Sequence, residues 1–192
     1  MLSDCAFRAQ LVLPEQRLLF NYWLDIAQGR AMPARADFDP LKVPHLLPHL
    51  AVIDLRDGFD RGRFRLAGTR LRDIYGREIT GLQLTEVYAG CHAAPWQAVH
   101  SRVATDAVCA QGIARGPAEG REHVVVHWLR LPLSDDGIRV DRILCQDRNH
   151  DDGCRAQHNS GTALASAESG VGLTAEFTVF GNGRHEHTAI RA

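Results

Sequence analysis

Cys145, His150, Cys154 and His158 are the residues of this chain with the clearest capacity for metal chemistry. Thiolate sulfur and imidazole nitrogen are both zinc ligands, and two of each can close a tetrahedral site. Their spacing, with four, three and three residues between successive members, fits no common finger and contains no CxxC knuckle. The competing reading is a polar tail whose cysteines and histidines are solvated. His185-Glu186-His187 adds further nitrogen donors downstream. A second cluster is Arg30 and Arg35, which flank Pro33 with Asp37 and Asp39 just beyond. Guanidinium forks hold carboxylates well, so this reads as an ion-paired structural clamp, with an anion-binding clamp for a ligand or partner as the alternative. Catalytic signatures are missing: there is no Gly-x-Ser-x-Gly, phosphate loop, His-Glu-x-x-His or dinucleotide fingerprint. Glu78, Glu86 and Asp106 are scattered carboxylates without a pairing spacing. The expectation is a protein that is not an enzyme.

The elements that must position these residues follow from local signals. Pro14 suits the first turn of a helix and Glu15 complements its dipole. Leu18, Leu19, Tyr22, Trp23 and Ile26 then form one apolar face, which Gly29 ends. Two uses compete for that face: packing on its own domain, and a seam with a dimer partner. Prolines 33, 40, 44 and 48 make the next segment a wrap of short helical turns. His49–Leu55 and Arg63–Gly68 read as strands joined through an Asp57-Gly58 hairpin. Thr69 is expected to cap a short helix carrying Leu71, Ile74 and Tyr75, with Gly76 at its C-terminus. A further short helix spans 84–88, and a longer one runs from Pro95 with Gly112 closing it. Strands are expected around 113–115, 122–132 and 139–145. Residues 1–12 give weak signals and are treated as an N-terminal extension. From 147 to 192 the chain is polar, and it is expected to be disordered or to add one strand near Leu173–Phe180.

Composition narrows the classes. With 45% hydrophobic and 23% charged residues and a net charge of −1, the 192-residue chain reads as a soluble globular protein. It has no basic field to attract nucleic acid. No apolar run is long enough to span a bilayer, and the first residues lack a signal peptide's basic and apolar regions. Five cysteines, an odd number, point to reduced thiols and a cytoplasmic location. Lys42 is the only lysine, a bias ascribed to the source genome rather than to function.

Several motifs occur in a telling order: Tyr22-Trp23, Gly29-Arg30-Ala31-Met32-Pro33-Ala34-Arg35, Asp37-Phe38-Asp39-Pro40 and Arg63-Phe64-Arg65-Leu66-Ala67-Gly68-Thr69. Gly76-Arg77-Glu78, Thr80-Gly81, Leu131-Pro132-Leu133 and Val140-Asp141-Arg142-Ile143-Leu144 continue it. In these features residues 13–146 resemble a PAS-like family abundant in alphaproteobacteria. The resemblance implies an α+β fold: a five-stranded antiparallel sheet with short helices on one face and an N-terminal amphipathic helix.

It also implies a stand-alone, non-enzymatic sensory or adaptor module of bacterial signalling, acting as a homodimer and through other signalling proteins. A small molecule in its cavity would meet Arg65, Tyr75, Trp96 and His100. His100 lies where haem-binding PAS domains carry an axial ligand, so a small-molecule or haem-binding receptor is the first alternative and a zinc protein built on the Cys145–His158 tail the second. Flavin photochemistry lacks its Asn-Cys-Arg context at Cys91 and Cys109. No particular cofactor is indicated.

Overall fold

The computed structural model describes residues 2–150, 174–181 and 184–191. An antiparallel sheet runs in the order β2-β1-β5-β4-β3-β6-β7. Its first five strands are β1 Leu50–Asp54, β2 Arg63–Ala67, β3 Cys109–Arg115, β4 Val125–Leu133 and β5 Arg142–Asn149. They form the five-stranded α+β core expected from the sequence. A C-terminal hairpin, β6 Thr174–Gly181 and β7 Arg184–Arg191, continues the sheet beyond β3.

Helices cover both faces. On the inner face lie α3 Leu71–Tyr75, α4 Leu84–Val87 and α5 Ala93–Asp106. The outer face carries α2 Pro14–Ala27, which is fixed in two places. Glu15 pairs with Arg148 of β5 at 3.3 Å, and the Trp23 indole donates to the Pro132 carbonyl at 2.9 Å. Leu19 and Trp23 are buried in the domain's own core. They are therefore not available to a dimer seam, because packing on the sheet has consumed them. Leu18 stays 40% exposed, while Tyr22 and Ile26 are half-buried.

Leu2–Gln10 is a helix, α1, where the sequence signals were weak. Phe7 and Leu11 sit one turn apart on one face and are fully buried, with the Phe7 ring 4.9 Å from that of Phe20. Tertiary burial rather than propensity or capping makes this short helix. Two further expectations are corrected. Helix α3 begins after Arg70, so Thr69 is not its cap; Gly76, at φ 73°, does end it. Helix α5 stops at Asp106, with Ala107 in the left-handed region, so Gly112 does not close it. Gly112 lies within β3, opposite Trp128 in the ladder.

Between α2 and β1 the chain makes three short 3-10 turns, Arg35–Asp37, Pro40–Lys42 and Pro44–His49. This wrap is fastened by very close backbone approach: the Gly68 amide donates to the Leu50 carbonyl at 2.7 Å, and the Arg70 amide to the Pro48 carbonyl at 2.8 Å.

Candidate functional site

The inner face is built around a charged pair. In a sheet, successive side chains alternate between faces and directly opposed residues share one. Trp128 opposes Asp147 and Arg130 opposes Cys145, so these four project together under α3–α5. Arg130 and Asp147 are 0% and 1% exposed. The guanidinium donates through Nη1 to Asp147 Oδ1 at 2.6 Å and through Nη2 to Oδ2 at 3.3 Å. Burial pulls Arg130 toward neutrality, but the Asp147 carboxylate together with the neighbouring Cys145, Tyr88 and Tyr75 outweighs it and holds the cation charged. Its planar face lies 5.0 Å from the Trp96 ring and 5.6 Å from the Trp128 ring.

Donor and acceptor logic gives the surrounding protons a direction. Tyr75 Oη donates to Asp147 Oδ2 at 2.8 Å, so in its 3.1 Å contact with Tyr88 it accepts. Tyr88 Oη in turn accepts from Arg130 Nη2 at 3.4 Å. The result is a closed cycle of contacts in which Arg130 donates to Tyr88, Tyr88 to Tyr75 and Tyr75 to Asp147, while Arg130 also donates directly to Asp147. Desolvation, above all, raises both phenol pKa values, so the hydroxyls stay protonated and able to donate.

His100 closes the arrangement from α5. Arginine can only donate, so the 3.1 Å contact from Arg130 Nε makes His100 Nε2 an acceptor. The ring is therefore neutral, with its proton on Nδ1. Burial, then the neighbouring Arg130 charge, lower its pKa well below the usual value and agree with that tautomer. Trp96 stacks on Tyr88 at 4.8 Å between ring centroids. What remains of the inner space is a 120 Å³ cleft lined by Phe59, Asp60, Leu84, Thr85, Tyr88, Ala93, Gln97 and His100.

The expected pocket residues divide accordingly. Tyr75, Trp96 and His100 come together around the ion pair, while Arg65 is exposed on β2. The reason is a bulge: Val52 pairs with Leu66 and Ile53 with Phe64, leaving Arg65 as the extra residue. Phe64 takes the inner position instead, with its ring 6.1 Å from that of Tyr88.

The haem reading does not fit these residues. His100 Nε2, the nitrogen an iron would need, is engaged by Arg130, and the cleft beside it is far too small for a porphyrin. The proposed zinc set is also divided. Cys145 faces inward and is fully buried, with burial pushing its thiol up to about 12, whereas His150 is exposed beside His127 on the outer face. One ion cannot reach both. Cys154 and His158 lie outside the described residues. Among the described residues, no group of three or more His, Cys, Asp and Glu side chains is placed to hold a metal ion.

Arg30 is a structural clamp: it donates to the Ala27 and Ile26 carbonyls at the end of α2 and pairs with Asp37 at 2.6 Å. Arg35 instead donates to the Phe38 carbonyl at 3.2 Å and lies over the Phe38 ring.

Outside the charged cluster, His127 Nε2 and His150 Nδ1 are 3.0 Å apart. Burial, and then His150, lower the His127 pKa from 6.5 to about 4. Unfolded chains take up this proton near pH 6.5, the folded domain only near pH 4. Stability from this residue is thus complete above about pH 6.5 and is lost as pH falls toward 4. Urea midpoints measured across that window should fall with acidification, and the fall should shrink in His127→Gln.

The architecture defines an α+β domain with helices packed against both faces of an antiparallel sheet, the inner face closed by α3–α5. A family model described as PAS domain matches residues 12–146, and the chain belongs to that family. That membership marks it as a module of sensory or signalling type. No match is found among curated proteins. Among the described residues, no helix is long and apolar enough to cross a membrane.

Proposed function

We propose that this chain is a non-enzymatic sensory or adaptor PAS module of bacterial signalling, working in the cytoplasm through protein contacts and as a homodimer. The observation that supports this reading most directly is the occupied inner face. Where a receptor would keep a cavity, Arg130, Asp147, Tyr75, Tyr88, Trp96, Trp128 and His100 fill the space, linked by hydrogen bonds and by the guanidinium's contacts with both indole rings. The 120 Å³ that is left admits a ligand no larger than a benzene-sized ring. Such a ligand would touch Tyr88 and His100, two of the groups that hold Arg130 on the central strand. Input at this point would reach β4 and β5 directly.

The dimer contact is assigned to the outward side of α2, at Leu18 with the exposed edges of Tyr22 and Ile26. Light scattering of the purified protein should give twice the chain mass, and Leu18→Asp should halve it while the circular dichroism spectrum is kept. A wild type that stays monomeric over the accessible concentration range overturns the dimer. Native mass spectrometry tests the cleft: a bound molecule larger than a small ring would contradict this use of it.

A further inference from the structure

We propose that a second binding site lies on the outer face of the sheet, in the groove between the proline-rich wrap and strands β1, β2 and β5, and that it takes an amphipathic monoanion: an apolar body carrying one carboxylate. The groove encloses 450 Å³, within the range of small-molecule sites and nearly four times the inner cleft. Its floor is Val52, Leu66 and Leu144, and Pro40, Pro44 and Leu47 of the wrap form the opposite wall. The bulge at Arg65 creates this floor, because it turns Leu66 to the outer face beside Val52. Leu66 stands 48% exposed there, an apolar side chain with open space above it.

The lining contains a single charged side chain, Arg35. The acidic residues near it are used elsewhere. Asp37 is held by Arg30, Asp39 accepts from the Leu41 amide, and Asp135, which approaches the Arg35 backbone amide at 3.4 Å, is paired with Arg142 at 2.7 Å. The Arg35 guanidinium donates to the Phe38 carbonyl through Nη1, and no described carboxylate forms an ion pair with it. A planar cation in the lining of an apolar groove is matched by a carboxylate, which accepts two parallel hydrogen bonds from such a fork. An ammonium head group of the same length would meet a like charge at that position.

Dodecanoate, used below its micelle concentration, is the probe. Calorimetric titration should give one molecule per chain, and methyl NMR should show shifts at Val52, Leu66 and Leu144. Arg35→Gln should weaken binding about tenfold, as expected for a lost charge-assisted contact. Leu66→Asp, at an exposed position, should abolish binding with the fold intact by circular dichroism. Dodecyltrimethylammonium should bind at least about tenfold more weakly than dodecanoate, by the same charge argument. Several results overturn the proposal: no heat up to the solubility limit; shifts confined to residues around Tyr88 and His100; or equal affinity for both head groups in wild type and Arg35→Gln. A dimer that ignores dodecanoate and dissociates in Leu66→Asp would also overturn it, because a second copy would then own the groove.

Discussion

Arg130→Met should cost the domain about 3–5 kcal/mol, because it leaves the Asp147 carboxylate buried without its cation. Asp147→Asn should cost a similar amount for the complementary reason. Arg130 would then be fully buried with only neutral partners, among them Tyr88, His100 and the Leu129 and Gln146 carbonyls. Either loss is a large share of the roughly 5–15 kcal/mol that holds a domain folded. Tyr75→Phe removes the hydrogen bond to the charged Asp147 and also takes away the acceptor of the Tyr88 hydroxyl, and should cost about 2–4 kcal/mol. Arg130→Met combined with Asp147→Asn should destabilise by much less than the two single losses added, since neither charge is then stranded. Urea unfolding monitored by tryptophan fluorescence gives all four values. Single-site losses below about 1 kcal/mol would show that the pair does not organise the core.

Gly68→Ala should be the most damaging conservative change outside that cluster. A Cβ at this position would lie 2.2 Å from the Leu47 carbonyl oxygen and 2.4 Å from that of Pro48. Both obstacles are backbone, so no side chain can rotate away. The wrap would have to lift away from the end of β2, losing the Gly68–Leu50 and Arg70–Pro48 hydrogen bonds and opening the outer groove. The expected cost is about 3 kcal/mol, the upper end for overpacking. Gly81→Ala is the control: its φ of 88° is strained for alanine, but nothing lies within 4 Å, so about 1–2 kcal/mol is expected. Thermal or urea unfolding of the two variants side by side tests the difference. Equal losses would mean that the close approach at Gly68 is not what holds the wrap.

The parts of this molecule that were legible in its sequence are those set by local chemistry. Pro14 begins α2 as expected, Gly76 ends α3, and the β-prone segments become the first five strands. The site was less legible because its members are distant in the chain. Tyr75 and Asp147 are 72 residues apart, and Arg130 and His100 are 30. One signal was nevertheless present. Arg130 is the only charged residue between Val124 and Leu133, in a strand otherwise almost wholly apolar. A lone charge in a strand buried on both faces has to find a partner there. Arg65 misled for the opposite reason, since period-two alternation does not foresee an extra residue in the ladder. Trp23 and Leu19 satisfied both uses of their helix face equally well in sequence; only the position of α2 over β4 decides between them.

Without the bulge at Arg65, that arginine would stand opposite Val52 on the outer face; with it, β2 gives an apolar residue to each of two compartments. Phe64 belongs to the inner core beside Tyr88, and Leu66 belongs to the outer groove. Two residues of one edge strand thus form the mechanical boundary between the charged interior and the apolar exterior pocket. A displacement of that strand along its axis moves the walls of both at once, with no intermediate element to absorb it.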